Sequence, residues 1–369
     1  MKARVQKILE KLTAPADALI LLNSTEPHLD QSFFYVFDVP SGLFEGSAAV
    51  GFPDGRMTVL SSLLEEESAR QAAKHDPSVS VEVPKTRSER DEILTRLIKS
   101  DATVALDFRE LTHEGYLSLE RAFPKARWVD ASEAIRRTRM VKDRVEIERL
   151  RKAGEIVSKV AVEIPSMLKK GITELELAAE MEYRMVRAGA SGRSFATITA
   201  FGAMGAEPHY APSDRPLTPG SSIVCDFGAL YLRYASDLTR SFRFGPRDDE
   251  LKAVHDKVLE AQNAALDVIR AGVPAKEAHL AAQRVIDASP WKGRFIHGLG
   301  HSIGLAVHDG FGMNQLVEEP LEEGMAITVE PGIYLPGHGG VRIEDDIVVT
   351  RTGYDRLTTA PREYIEVPA

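Results

Sequence analysis

One cysteine, Cys225, stands in 369 residues, so the chain carries no internal disulfide framework and suits a reducing compartment. Positive charge is also in short supply. Lys and Arg number 46 against 55 Asp and Glu, for a formal net charge of −9, which offers no basic footprint to nucleic acid or an anionic membrane. No apolar run approaches the roughly 20 residues that span a bilayer. The opening MKARVQKILEKL carries charges throughout and does not read as a secretory leader. These absences predict a soluble, cytoplasmic protein with neither nucleic acid nor membrane as partner.

Two organisations follow one another along the chain. Over residues 1–135 short strand and helix signals alternate: DALILLN at 17–23, a hairpin over 47–62 turned by Pro53-Asp54-Gly55, helical and strand runs through 130. This is an α/β domain without a phosphate-binding glycine fingerprint, and its His28, His75 and His113 read as surface residues. Residues 136–369 read as a second, α+β domain. Ile147, Leu150, Gly154, Val157, Ala161, Ile164 and Leu168 recur at helical steps, with a kink expected at Pro165. Thr173 and Glu176 form a capping-box pattern. Strand signals dominate 194–245, two helices fill 247–289, and strands return from 326.

Chemistry gathers in the second domain. HGLGHSIGLAVHDG, residues 297–310, places three histidines and four glycines on one short stretch. Such a run of glycine implies a backbone that bends sharply or lies close to something. On either side stand acidic hairpins. If SSIVCDFGALYLRYASDLTRSFRFG turns near Tyr231-Leu232, Asp226 and Asp237 fall directly opposite one another. If AITVEPGIYLPGHGGVRIEDDIVV turns on Gly337, Glu330 opposes Glu344. Ionised carboxylates so paired repel unless a cation lies between them. Four carboxylates and one imidazole suit two divalent cations, with room for a shared hydroxide. The mixture of hard oxygens and one nitrogen favours manganese, cobalt, iron or zinc over calcium or a thiolate-held structural zinc.

With these motifs in order (HY after AEP at 207–210, VCDFGALYLRYASDLTR, HGLGHSIGLAVHD, ITVEPGIY and GGVRIEDDI), the chain from about Arg139 resembles the pita-bread metallopeptidases. That family includes Xaa-Pro dipeptidase (prolidase), Xaa-Pro aminopeptidase and methionine aminopeptidase. The preceding α/β domain resembles that of the proline-specific members. The resemblance implies that Asp226 ligates one metal, that Asp237 and Glu344 bridge two, and that His301 and Glu330 complete the second. It makes Glu330 the proton carrier, His209 and His308 the contacts to the scissile peptide, and His297 part of the substrate pocket. It further implies a homodimer and two divalent ions per subunit, manganese first.

The remaining candidates are weighed on position. Cys225 alternates away from Asp226 and reads as core, and His255 and His279 as surface or packing residues. His338, in the Gly337 turn, is either a solvated loop residue or part of the pocket rim. Arg342 shares a face with Glu344 and is expected to orient it or line the pocket. The activity implied is hydrolysis of the Xaa-Pro bond by a prolidase. Xaa-Pro aminopeptidase action on longer peptides is the alternative, because VHDGFGMNQ lacks the arginine that prolidases often place after the second histidine. A metal-free creatinase-like hydrolase and a binding module are disfavoured, since all five ligand positions are filled.

Overall fold

Short apolar runs in the N-terminal third form the strands of one mixed sheet in the computed structural model, which describes residues 1–369. In this unit, Met1–Arg139, strands Ala18–Leu22 and Ala48–Gly51 pair antiparallel, as do Ala48–Gly51 and Met57–Leu60. Strands Val79–Glu82, Thr103–Leu106 and Arg127–Asp130 join in parallel, making six strands. Gly55 sits at φ +82° in the turn where Pro53-Asp54-Gly55 was expected. The division falls after Arg139 rather than at 135, because helix Ser132–Met140 runs through that position.

The second unit, Met140–Ala369, is built from two helix pairs and two antiparallel ladders. Helix Arg144–Met167 starts in a capping box of Asp143 with Glu146, and Glu174–Arg187 in one of Thr173 with Glu176. Pro165 lies in the last turn of the first helix, which continues through it to Met167. Pro165 cannot donate to the Ala161 carbonyl one turn back, and only two helical residues follow it. The apolar stripe of this pair, including Val157, Val160, Ile164, Leu177 and Met181, buries Ile223, Cys225, Phe227, Leu238 and Phe242 of the first ladder. Helices Asp249–Val268 and Ala275–Asp287 do the same for Ile327, Val329, Ile333, Val341, Ile343 and Ile347 of the second. His255 and His279 lie in these helices at 2% and 3% exposure, so they are packing residues.

Register decides what faces what. Strand Ser221–Phe227 pairs Leu238–Phe244 with Asp226 opposite Thr239, not opposite Asp237. Leu232 and Arg233, at φ 47° and 73°, form the two-residue connection after Tyr231 pairs Tyr234. The turn is therefore one residue further along than expected, and every partner moves by two. A shift of two preserves the face, so Asp226 and Asp237 remain diagonal neighbours on one side. In the other hairpin Gly337, at φ +81°, sits at the tip. Val329 pairs Asp345 and Gly332 pairs Arg342, which sets Glu330 opposite Glu344 in the gap between the two ladders.

Candidate metal centre

Asp226 closes one strand and Asp237 opens the next, where its N–H donates to Asp346 Oδ2 at 2.8 Å. Glu344 takes the Thr239 hydroxyl on Oε2 at 2.6 Å. Thr328 serves two groups: its Oγ1 accepts the His301 N–H at 3.1 Å and donates to Glu330 Oε1 at 3.2 Å. The approach of Gly300–His301 to strand Ala326–Val329 requires Gly300, since a Cβ there would overlap the Thr328 carbonyl. Thus placed, His301 Nε2 stands 3.4 Å from Glu330 Oε1 and 3.6 Å from Asp237 Oδ2. Ligand atoms of Asp237, His301 and Glu344 lie within 4.8 Å of one another. The His301 and His308 rings meet edge-on at 4.2 Å between centroids, so the loop does bring both to one side.

These groups line a cavity of about 390 Å³, with Asp226, His209, His297, His308 and Arg342 in its wall. Phe195, Ile198, Val307 and Met313 supply its apolar lining. His338 does not line this cavity. Its Nε2 lies 3.3 Å from Asp248 Oδ2 and 3.8 Å from Glu250 Oε2, at the start of helix Asp249–Val268, because the hairpin tip points its side chain toward that helix. The pocket-rim reading of His338 is corrected accordingly.

Arg342 is the hub of the wall. Its guanidinium, 3% exposed, donates to Thr239 Oγ1 at 3.0 Å, Tyr334 Oη at 3.0 Å and Asp226 Oδ2 at 2.6 Å. An arginine can only donate, so the Tyr334 hydroxyl gives its own proton to His297 Nε2, 2.8 Å away. His297 is then protonated on Nδ1, which donates to the Gly298 carbonyl at 2.7 Å. Burial holds His297 down at about 4, so this imidazole is neutral.

Burial, with the charges of Glu344 and Asp226, pushes Asp237 well above the usual carboxylate range. Burial also raises Glu344, reinforced by Glu330 and Asp226, and takes Glu330 up to about 8. His301 is lowered to about 4 by burial and by His308. Three buried oxygens, Asp226 Oδ1, Asp237 Oδ1 and Glu344 Oε1, have no hydrogen-bond partner. Native interiors rarely leave such atoms unsatisfied, and a carboxylate stripped of water needs a counter-charge. Orphaned oxygens around a neutral imidazole fit a divalent cation with mixed oxygen and nitrogen donors.

The profile of Metallopeptidase family M24 matches residues 148–351, and that of the Creatinase/Prolidase N-terminal domain residues 3–141. The chain belongs to metallopeptidase family M24. It is an enzyme with the two-domain architecture of that family, a pita-bread domain behind a smaller α/β domain, and it uses divalent metal. This M24 chain is 40% identical over 233 residues to the Xaa-Pro dipeptidase of Pyrococcus furiosus, covering 63% of this chain and 67% of that one. Among solved structures, the X-Pro aminopeptidase of Thermotoga maritima superposes with a TM-score of 0.88 at 34% identity, over 95% of this chain and 98% of that one. The Xaa-Pro dipeptidase of Bacillus anthracis gives 0.89 at 30% identity, over 99% and 98%.

Sequence reasoning missed Thr239, which holds the Glu344 carboxylate, Asp346, which holds the Asp237 backbone, and Tyr334, which joins Arg342 to His297. Thr239 carried a signal: correct register puts it opposite Asp226. Tyr334 carried another, since it shares strand parity with Glu330.

Proposed function

We propose that this M24 enzyme hydrolyses the Xaa-Pro bond at a free N-terminus, acting as an Xaa-Pro dipeptidase on two divalent metal ions per subunit, manganese first. The observation that carries the reading is the trio of orphaned oxygens on Asp226, Asp237 and Glu344, carboxylates that line one cavity with His301. Asp226, Asp237, His301, Glu330 and Glu344 would hold the metals. Bound metal supplies Lewis acidity, bringing the pKa of a bound water toward 7 and polarising the peptide carbonyl. Formal charge agrees: four carboxylates and Arg342 leave −3, which two divalent ions convert to +1, enough for one anionic ligand.

The chain's own residues do the rest. Glu330, whose Oε1 accepts only a threonine hydroxyl at the wall of the cavity, is suited to take a proton and return it to the leaving nitrogen. His209 and His308 face the cavity from separate segments and donate to the carbonyl oxygen as charge develops on it. Phe195, Ile198, Val307 and Met313 offer an apolar seat for a proline ring. Arg342 holds Asp226 and, through Thr239, Glu344, so it orients ligands, and each of its nitrogens already has a partner within the protein.

That last point favours a second reading, Xaa-Pro aminopeptidase action on longer peptides. Arg342 is the one Lys or Arg in the cavity lining, and its nitrogens are engaged. The names of the Thermotoga and Pyrococcus relatives support one reading each. Turnover of Ala-Pro, Ala-Pro-Ala and Ala-Pro amide by the manganese-loaded enzyme separates them. A dipeptidase cleaves the first and rejects the amide. Cleavage of none of the three refutes both readings. A homodimer in the cytoplasm completes the proposal.

A further inference from the structure

The loop carrying His301 and His308 has almost no strand pairing of its own, so its shape is set elsewhere. Strand Gly300–His301 ends at once, and Ser302 makes an isolated bridge to Ile327. The chain then doubles back: the Asp309 N–H donates to the Ser302 carbonyl at 2.8 Å and the Phe311 N–H to the Ser302 hydroxyl at 3.0 Å. Inside the bend lies the Asp309 carboxylate. Its Oδ2 accepts the Leu305 N–H at 3.1 Å and stands 3.4 Å from Lys142 Nζ. The Lys142 side chain is 0% exposed and that of Asp309 7%.

Lys142 is fixed from its own side, its N–H donating to the Gly324 carbonyl at 2.9 Å and Val141 bridging Met325. Gly304 passes so close that a Cβ would collide with both the Asp309 carboxylate and the Lys142 ammonium. Its carbonyl accepts the Ala235 N–H at 2.8 Å, two residues before Asp237. The loop is therefore wrapped around a buried ion pair. Apolar side chains of similar volume usually stabilise such a place as well or better, so stability alone does not account for the two charges.

We propose that the Lys142–Asp309 pair is a positioning device for His308, fixing the bend from which that imidazole meets the substrate. The inference rests on the proposed role of His308 at the scissile carbonyl. Without the pair, Leu305 loses its acceptor, the bend relaxes and His308 drifts from its place. A displacement of about 1 Å at a reacting group costs on the order of 10²-fold in rate.

The test compares the full-length enzyme with the double variant Lys142→Met/Asp309→Leu, which removes both charges and the acceptor together. Expected are a melting temperature and metal content close to the parent's, faster amide exchange at Leu305, and kcat on Ala-Pro lower by roughly 10–100-fold with little change in KM. In a His308→Ala background the same pair of changes should add no further loss, because both act through one group. Should the double variant not fold, Lys142→Met/Asp309→Val, which removes the same charges and the same acceptor with a different volume, is carried through the same measurements. Parental kcat in a stable variant, unchanged Leu305 exchange, or losses that multiply with His308→Ala would each overturn the proposal. A parent that cleaves no Xaa-Pro peptide is instead a failure of the functional reading, and Leu305 exchange, measured without substrate, then decides the loop claim alone.

Discussion

Consider the protein stripped of metal by a chelator, desalted, and melted at pH 6.5, 7, 7.5 and 8. Glu330 is pushed from 4.5 up to about 8 by burial, Asp237 is raised by burial and by Glu344, and Glu344 by burial and by Glu330. The folded, metal-free state therefore binds more protons than the unfolded chain, and its stability falls as pH rises through this window. Below 6.5 the sign is confounded. Buried His255, His297 and His301, each lowered to about 4, bind fewer protons folded than unfolded and cost stability as pH falls. Between 6.5 and 7.5 the unfolded histidines are still partly protonated and oppose the fall, but that offset is common to loaded and stripped protein and cancels in their difference, where the carboxylates alone set the slope. Each held proton is worth about 1.4 kcal/mol per pH unit, and a group at about 8 gives up roughly 1.5 kcal/mol between 6.5 and 8. For a unit of this size that is on the order of 3–6 °C in Tm, with Asp237 and Glu344 adding in the same direction. Manganese-loaded protein has these carboxylates ionised throughout and does not share the fall. Calorimetry should therefore show a gap between loaded and stripped protein that widens with pH, and that widens less in Glu330→Gln. A gap that stays constant or narrows refutes the account of the site as carboxylates awaiting cations.

Other expectations follow from the same geometry. Chelation should abolish peptidase activity and manganese or cobalt restore it, while Asp237→Asn should lose more than the roughly 10²-fold typical of residues that merely support a ligand; full turnover without metal counts against the mechanism. His301→Ala should be partly rescued by excess metal in an activity titration. His308→Ala should keep its metals and lose roughly 10²–10³-fold in rate without rescue, and the opposite pattern reverses the two roles. Light scattering should give the mass of a dimer, and a monomer at working concentration refutes that expectation without touching the chemistry.

What could be read in advance depended on how local the determinant was. Glu330 opposite Glu344 was legible because Gly337 marks its turn unambiguously. Asp226 opposite Asp237 was misread because the turn is made by Leu232 and Arg233, which give no sign of the left-handed backbone they adopt. The face survived the error because side chains alternate with a period of two. The meeting of His301 and His308 was legible only through the resemblance, since nothing local shows the bend: Lys142, which packs inside it, stands 167 positions from Asp309. His338 was misplaced for a similar reason: its neighbours, Asp248 and Glu250, belong to a helix that closes on the hairpin only in three dimensions.

The Gly337 hairpin also sets where the chain can change length. Its arms, Gly332–Leu335 and Gly339–Arg342, carry Ile333 and Val341 toward the helices and Tyr334 and Arg342 toward the cavity. Deleting one residue within either arm inverts that parity and turns a carboxylate from the cavity into the core. At the tip, a Cβ on Gly337 meets nothing within 4 Å, and residues added there leave both arms in register. A short epitope or fluorophore tag inserted beside Gly337 is therefore compatible with an intact centre, while a single-codon deletion a few positions away is not.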